Sequence, residues 1–172
     1  MQRDELKALR EDVVARAREA FVRMDEVAEY NTRKVLDAMR ACRVSDAHFG
    51  VSAGYAYSDL GREKLDELYA RVFGAERALV RTQFVSGTHA LATVLFGILR
   101  PGDQLVSITG APYDTMQTVI GWAHESVGSL KEFGVDYDEL PMQGGRVDME
   151  GVDRVVTART KLALVQRSRG YS

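Results

Sequence analysis

The sequence has few of the features that mark secreted, membrane or nucleic-acid-binding proteins. Its single cysteine, Cys42, rules out an internal disulfide, and the N-terminus lacks the apolar core of a signal peptide. The longest apolar stretch, residues 90–99, has about half the length that a membrane-spanning helix needs. The 23 basic residues face 25 acidic ones, which gives a net charge of -2 and no basic surface for nucleic acid. We therefore expect a cytoplasmic protein that binds neither membranes nor nucleic acid.

The first 45 residues have the pattern of amphipathic helices. Apolar side chains recur at three- and four-residue spacing among charged residues, at Leu6, Leu9, Val13, Ala17, Phe21, Met24 and Val27. Asn31 is predicted to cap a second helix that runs to Arg40. We assign residues 1–45 to an N-terminal helical segment, and residues 46–172 to a region of different character.

The second region alternates between helices and strands. Its apolar periodicity and its glycines predict helices over residues 62–73, 87–99, 115–124, 129–134 and 149–158, and strands over residues 77–84, 104–109, 135–141 and 161–166. This order predicts an α/β fold with a mainly parallel sheet covered by helices. Ligands bind such sheets at the carboxyl ends of the strands.

A polar cluster, Ser86, Gly87 and Thr88, lies between a predicted strand and an apolar helix. Its backbone N–H groups and two hydroxyls would meet an anion at the positive end of the helix dipole, where a phosphate fits. The alternative is that Ser86 or Thr88 only caps the helix, as hydroxyl residues do in many proteins. The spacing matches neither a Walker loop nor the three-glycine dinucleotide motif.

Longer segments of the chain resemble a known family. The stretches "GYAYSDLGREKL", "FVSGTHALATVLFGILRPGD", "GAPYDTM", "GSLKEFGVDYDELP" and "LVQRSRGYS" are similar to the methionine gamma-lyase-like proteins, which are also labelled aluminium resistance proteins. These are fold type I enzymes that use pyridoxal 5'-phosphate in cysteine and methionine metabolism. The resemblance covers nearly the whole chain from about residue 45. It implies that residues 46–172 are the first part of a cofactor-binding large domain.

The resemblance implies roles for individual residues. Ser86, Gly87 and Thr88 match the turn that holds the cofactor phosphate, and Tyr113 matches the aromatic residue that stacks on the pyridine ring. Tyr55 and Tyr57 resemble tyrosines that relatives contribute across a subunit interface to the phosphate or substrate. Related cystathionine-type enzymes have Tyr-x-Arg there, whereas this chain has Tyr57 followed by Ser and Asp. Packing by the two loop tyrosines is the alternative.

Three further residues have two interpretations each. His89 either faces the cofactor or makes a structural hydrogen bond at the start of its helix. Arg167 and Arg169 follow the last predicted strand, where they either bind a phosphate or carboxylate or lie in a solvated loop. The other histidines, at positions 48 and 124, show with Cys42 no metal-ligand spacing, so we expect no zinc site.

The family's Schiff-base lysine has no recognisable counterpart in this chain, because none of its five lysines (Lys7, Lys34, Lys64, Lys131 and Lys161) has a matching context. We therefore expect the N-terminal part of a lyase that cleaves carbon–sulfur bonds in a sulfur-containing amino acid, truncated before that lysine and the small domain. We expect the chain to be inactive alone, and to associate as a homo-oligomer or with a missing C-terminal half. The alternative is an inactive protein that binds a phosphate ligand or serves as an interaction module.

Overall fold

The computed structural model describes residues 3–51, 59–124 and 126–168. They belong to two compact units, residues 1–81 and residues 82–172. Among the residues described, no helix combines the length and the apolar character needed to cross a membrane. The predicted division near residue 45 stays a prediction.

In its described residues the first unit contains three helical elements: α1 (Arg3–Ala41), a 3-10 helix (Asp46–Phe49) and α2 (Leu60–Phe73). The prediction that Asn31 begins a second helix is wrong, because α1 runs through it without a break. The Asn31 side-chain amide donates instead to the carbonyl of Val27, at 2.8 Å. An asparagine in this position satisfies its own polar group within the helix, and so it does not act as a cap.

Ion pairs between successive turns support the length of α1. In each pair the acidic residue precedes the basic one by four positions, the order that also suits the helix dipole: Asp12 with Arg16, Glu19 with Arg23 at 2.8 Å, and Glu29 with Arg33 at 2.7 Å. The apolar stripe predicted from the sequence forms, but its large side chains are exposed. Ala38 is the residue of α1 that is buried.

The limits of α2 follow from local signals. The Asp59 side chain accepts a hydrogen bond from the Arg62 N–H at 3.0 Å, and Gly74 ends the helix with a φ of 65°, which glycine adopts without strain. These limits agree with the helix predicted over residues 62–73. After Gly74, however, the strand predicted over residues 77–84 is absent, since no strand in the described part of the chain pairs with this segment.

The second unit is an α/β arrangement. Its elements are, in chain order, α3 (Gly87–Ile98), β1 (Gln104–Ser107), α4 (Asp114–Ile120), β2 (Asp136–Glu139), α5 (Met149–Val155) and β3 (Thr160–Leu164). The described strands form one sheet in the order β2-β1-β3, and β1 runs parallel to both neighbours. The predicted parallel sheet with helical connections is therefore confirmed.

The core of the second unit lies around β1, whose four residues are all buried. It is an apolar cluster of Leu95, Leu99, Leu105, Met116, Ile120, Leu130, Val135 and Tyr137. Burial raises the pKa of the Tyr137 phenol, which donates to the Glu139 carboxylate at 2.9 Å. The short helix predicted over residues 129–134 is wrong: this stretch consists of turns, and it returns the chain to β2.

Candidate functional site

The candidate site is built on the first turn of α3. Ser86 has an extended backbone, and its hydroxyl oxygen accepts a hydrogen bond from the His89 N–H at 3.1 Å. Ser86 is therefore the N-cap, as the capping alternative proposed. A hydroxyl that accepts one hydrogen bond still has a hydrogen to donate, so capping leaves Ser86 able to contact an anion.

Two backbone N–H groups of this turn are available to a ligand. The Gly87 and Thr88 N–H groups have no acceptor within the described residues, whereas those of His89 and Ala90 donate to Ser86. Gly87 is exposed, and a Cβ placed on it would meet no atom within 4 Å. The two N–H groups lie at the positive end of a 12-residue helix, where an anion is stabilised.

Three hydroxyl groups meet beside this turn. The Thr88 hydroxyl oxygen lies 2.9 Å from the phenolic oxygen of Tyr113 and 3.2 Å from the hydroxyl oxygen of Thr115. Thr88 and Tyr113 are half-buried, while Thr115 is exposed in the first turn of α4. The contacts bring the start of α3 next to the loop that follows β1. We call Ser86, Gly87, Thr88, Tyr113 and Thr115 the hydroxyl cluster.

Gln166 ties the exits of β1 and β3 together. Its backbone N–H donates to the Thr109 hydroxyl at 2.9 Å, and its side-chain oxygen accepts from the Tyr113 N–H at 3.1 Å. Thr109 follows β1 and Gln166 follows β3, so the cluster lies at the carboxyl edge of the sheet. This is the edge at which ligands bind in open parallel sheets.

The structure says less about the roles of the remaining predicted site residues. His89 is exposed, and its ring packs edge-on against Phe84 at 5.6 Å between centroids. Arg167 is exposed and directly follows Gln166. Tyr55, Tyr57 and Arg169 lie outside the described residues.

Sequence reasoning missed Gln166 and Thr115. Gln166 is the last residue of the strand predicted over residues 161–166, whereas β3 ends at Leu164 and leaves Gln166 in the loop that follows. Thr115 is separated from Thr88 by 27 residues, and no local pattern links them. The lysines of the second unit lie elsewhere: Lys161 is the second residue of β3, and Lys131 lines a cleft with residues at the amino ends of β2 and β3.

Comparison with known proteins identifies relatives over most of the chain. The family model described as methionine gamma-lyase matches residues 6–172. The uncharacterized protein YnbB of Bacillus subtilis (strain 168) is 45% identical over 151 residues, which are 87% of this chain and 36% of YnbB.

Solved structures show the same similarity. A candidate cystathionine beta-lyase involved in aluminium resistance from Listeria innocua is 47% identical, with a TM-score of 0.93 over 100% of this chain and 42% of that protein. A carbon-sulfur lyase involved in aluminium resistance from Clostridium novyi NT is 44% identical, with a TM-score of 0.91 over 96% of this chain and 40% of that protein. The chain therefore spans well under half the length of these relatives.

Proposed function

Because the chain belongs to the methionine gamma-lyase family, we propose that it supplies the phosphate-binding part of a pyridoxal 5'-phosphate-dependent carbon–sulfur lyase of fold type I. The observation that carries the proposal is the first turn of α3, with two unused N–H groups beside Tyr113 at the carboxyl edge of the sheet. A phosphate needs several converging donors, and this turn offers them.

The residues present fit the cofactor in three respects. The Gly87 and Thr88 N–H groups and the Ser86 hydroxyl hydrogen are donors for phosphate oxygens. The open space over Gly87 lets a phosphate approach the backbone closely. Tyr113 supplies a flat, half-buried ring, as a stacking partner for a pyridine requires.

Binding is tested with pyridoxamine 5'-phosphate, which has no aldehyde and so cannot react with surface lysines. Amide NMR spectra of the 172-residue chain are recorded during titration with this probe, with inorganic phosphate and with phosphate-free pyridoxamine. We expect the two phosphate compounds to shift the Gly87 and Thr88 amide signals, and pyridoxamine to leave them in place. Shifts confined to other residues, or equal binding of pyridoxamine, would contradict the proposal.

The proposed reaction is carbon–sulfur elimination from a sulfur-containing amino acid. When bound, the cofactor withdraws electrons from the substrate's α-carbon, which makes a sulfur leaving group easier to expel. The names of the Listeria and Clostridium proteins support this reaction class. The chain's own residues hold the phosphate and orient the ring. The hydroxyl cluster contains no lysine that could bind the cofactor covalently.

Turnover is tested by measuring thiol release from cystathionine and methionine, with cofactor added. We expect no release by the 172-residue chain alone and release by the longer Listeria innocua protein as the positive control. Cofactor-dependent release by the 172-residue chain would show that one of its own lysines serves the reaction.

A second candidate function, an interaction module that associates with another copy, is favoured by α3. This helix is apolar nearly all round, yet Leu91, Val94 and Ile98 are exposed, and helices of this kind are normally buried. Light scattering after size-exclusion chromatography should give an oligomer, and Val94→Glu should shift it toward the monomer. A wild-type monomer at the same concentration would exclude this candidate.

A further inference from the structure

We propose that Thr88 is a positioning residue whose hydroxyl holds the Tyr113 phenol, and that its hydroxyl does not bind the phosphate. This inference rests on the proposed function, since it assigns a task within the same site. It changes the role that the family resemblance gave to the Thr88 side chain, and leaves the role of its backbone N–H as before.

The hydrogen bonds of Thr88 carry the inference. A threonine hydroxyl has one hydrogen and two lone pairs. Two partners already occupy it: the Tyr113 phenol at 2.9 Å and the Thr115 hydroxyl at 3.2 Å. Threonine is also branched at Cβ, which restricts its side-chain rotation. These two contacts direct the Thr88 hydroxyl toward α4 and the loop before it, and they leave at most one of its three hydrogen-bonding positions for another group.

Tyr113 is held at both ends by these contacts. Its backbone N–H donates to the Gln166 side chain at 3.1 Å, and its phenol meets Thr88. A ring that stacks on a ligand must be fixed in tilt as well as in place, because stacking depends on the relative orientation of the two rings. Gln166 fixes the backbone, and Thr88 fixes the far end of the side chain.

The two roles of Thr88 predict different results for two probes. If the Thr88 hydroxyl bound the phosphate, it would strengthen the binding of inorganic phosphate and of pyridoxamine 5'-phosphate equally. If the hydroxyl positions Tyr113 instead, it strengthens only the binding of the compound that has a ring. Inorganic phosphate therefore separates the roles without any assay of turnover.

The experiment compares Thr88→Val, which removes the hydroxyl at nearly constant shape, with Thr88→Ser, which restores it. Thr93→Val is the matched control, because the exposed Thr93 hydroxyl donates only to the His89 carbonyl of its own helix, at 2.8 Å. We expect Thr88→Val to weaken pyridoxamine 5'-phosphate about five-fold, the effect of one lost hydrogen bond. It should change phosphate affinity by less than two-fold. Thr88→Ser and Thr93→Val should bind like the wild type.

Several results would overturn the inference. Equal weakening of both probes by Thr88→Val would make the hydroxyl a phosphate ligand, and unchanged binding of both would remove its positioning role. If the wild type binds neither probe, the proposed function fails. The inference is then judged on the free chain, where nuclear Overhauser contacts between the Tyr113 ring and the Thr88 methyl group are expected, and their absence would refute it.

Discussion

The Gln166 side-chain oxygen accepts a hydrogen bond from the Tyr113 backbone N–H at 3.1 Å, although 53 residues separate the two. The same glutamine donates its own backbone N–H to Thr109 at 2.9 Å. Gln166 alone, in the segment that follows β3, thus anchors both ends of the loop that follows β1. Since that loop carries Tyr113, the position of the ring depends on how β3 ends.

Replacing Gln166 tests this dependence. Gln166→Leu removes the acceptor of the Tyr113 N–H, whereas Gln166→Glu keeps an acceptor oxygen at the same distance along the side chain. We expect hydrogen exchange of the Tyr113 amide to become faster in Gln166→Leu and to stay slow in Gln166→Glu, because an amide exchanges when its hydrogen bond opens. Equally fast exchange in both variants would show that the side chain does not hold the loop. Amides of buried β1 serve as the internal control for global stability.

Substitution of Ser86 separates capping from anion binding. Ser86→Asn and Ser86→Asp both retain a side-chain oxygen for the His89 N–H, and Ser86→Ala does not. Thermal unfolding should therefore show a loss of about 1 kcal/mol only for Ser86→Ala. Phosphate titration should show a further difference, because the negative charge of Ser86→Asp repels phosphate while Ser86→Asn carries none. If Asp and Asn variants bound phosphate equally, the anion would not lie at this turn.

Two glycines should respond differently to alanine. A methyl group on Gly87 meets open space, so Gly87→Ala should keep the free energy of unfolding or raise it by up to about 1 kcal/mol, and it should weaken phosphate binding by filling the approach to the backbone. Gly121 ends α4 with a φ of 81°, and a methyl group there would collide with Ser129. Gly121→Ala should therefore lower the free energy of unfolding by about 2 kcal/mol. Urea denaturation measures both, and a stable Gly121→Ala variant would contradict the geometry of this turn.

The parts of the fold that local chemistry determines could be predicted from the sequence. Gly74 marks the end of α2, and Ser86 marks the start of α3, because caps and left-handed turns depend on the residue itself. The strand predicted over residues 77–84 failed for the opposite reason. A strand needs a second strand for its hydrogen bonds, and within the described residues this segment meets none.

Only the part of the candidate site that neighbouring residues form could be predicted from the sequence. Ser86, Gly87 and Thr88 are contiguous and precede an apolar helix, so their arrangement follows from neighbouring residues. The contacts of Tyr113 with Thr88 and Gln166 join residues that are 25 and 53 positions apart. Such pairs depend on the topology of the sheet, which brings strand ends together that the linear pattern keeps separate.

In place of the predicted strand pairing, residues 80–81 are held by one carboxylate. The Asp66 oxygens accept from the Val80 N–H at 2.8 Å and from both terminal nitrogens of the Arg81 guanidinium, at 2.7 Å each. The Arg81 hydrogen bonds lower the pKa of Asp66. A charge-assisted, bidentate pair of this kind also restricts the backbone just beyond α2.

The lowered pKa of Asp66 gives its contribution a definite pH dependence. Since the folded chain holds the proton less tightly than the unfolded chain, the stabilisation is complete above the unfolded pKa of about 4 and is lost as the pH falls through the lower, folded value. Asp66→Asn should reduce the free energy of unfolding by about 2 kcal/mol at pH 7, and the difference from wild type should shrink below pH of about 4. Asp37→Asn is the control, because Asp37 is exposed in its pair with Arg40 and should change stability by less than about 0.5 kcal/mol. A difference for Asp66→Asn that stayed constant between neutral and acid pH would show that the carboxylate charge does not contribute.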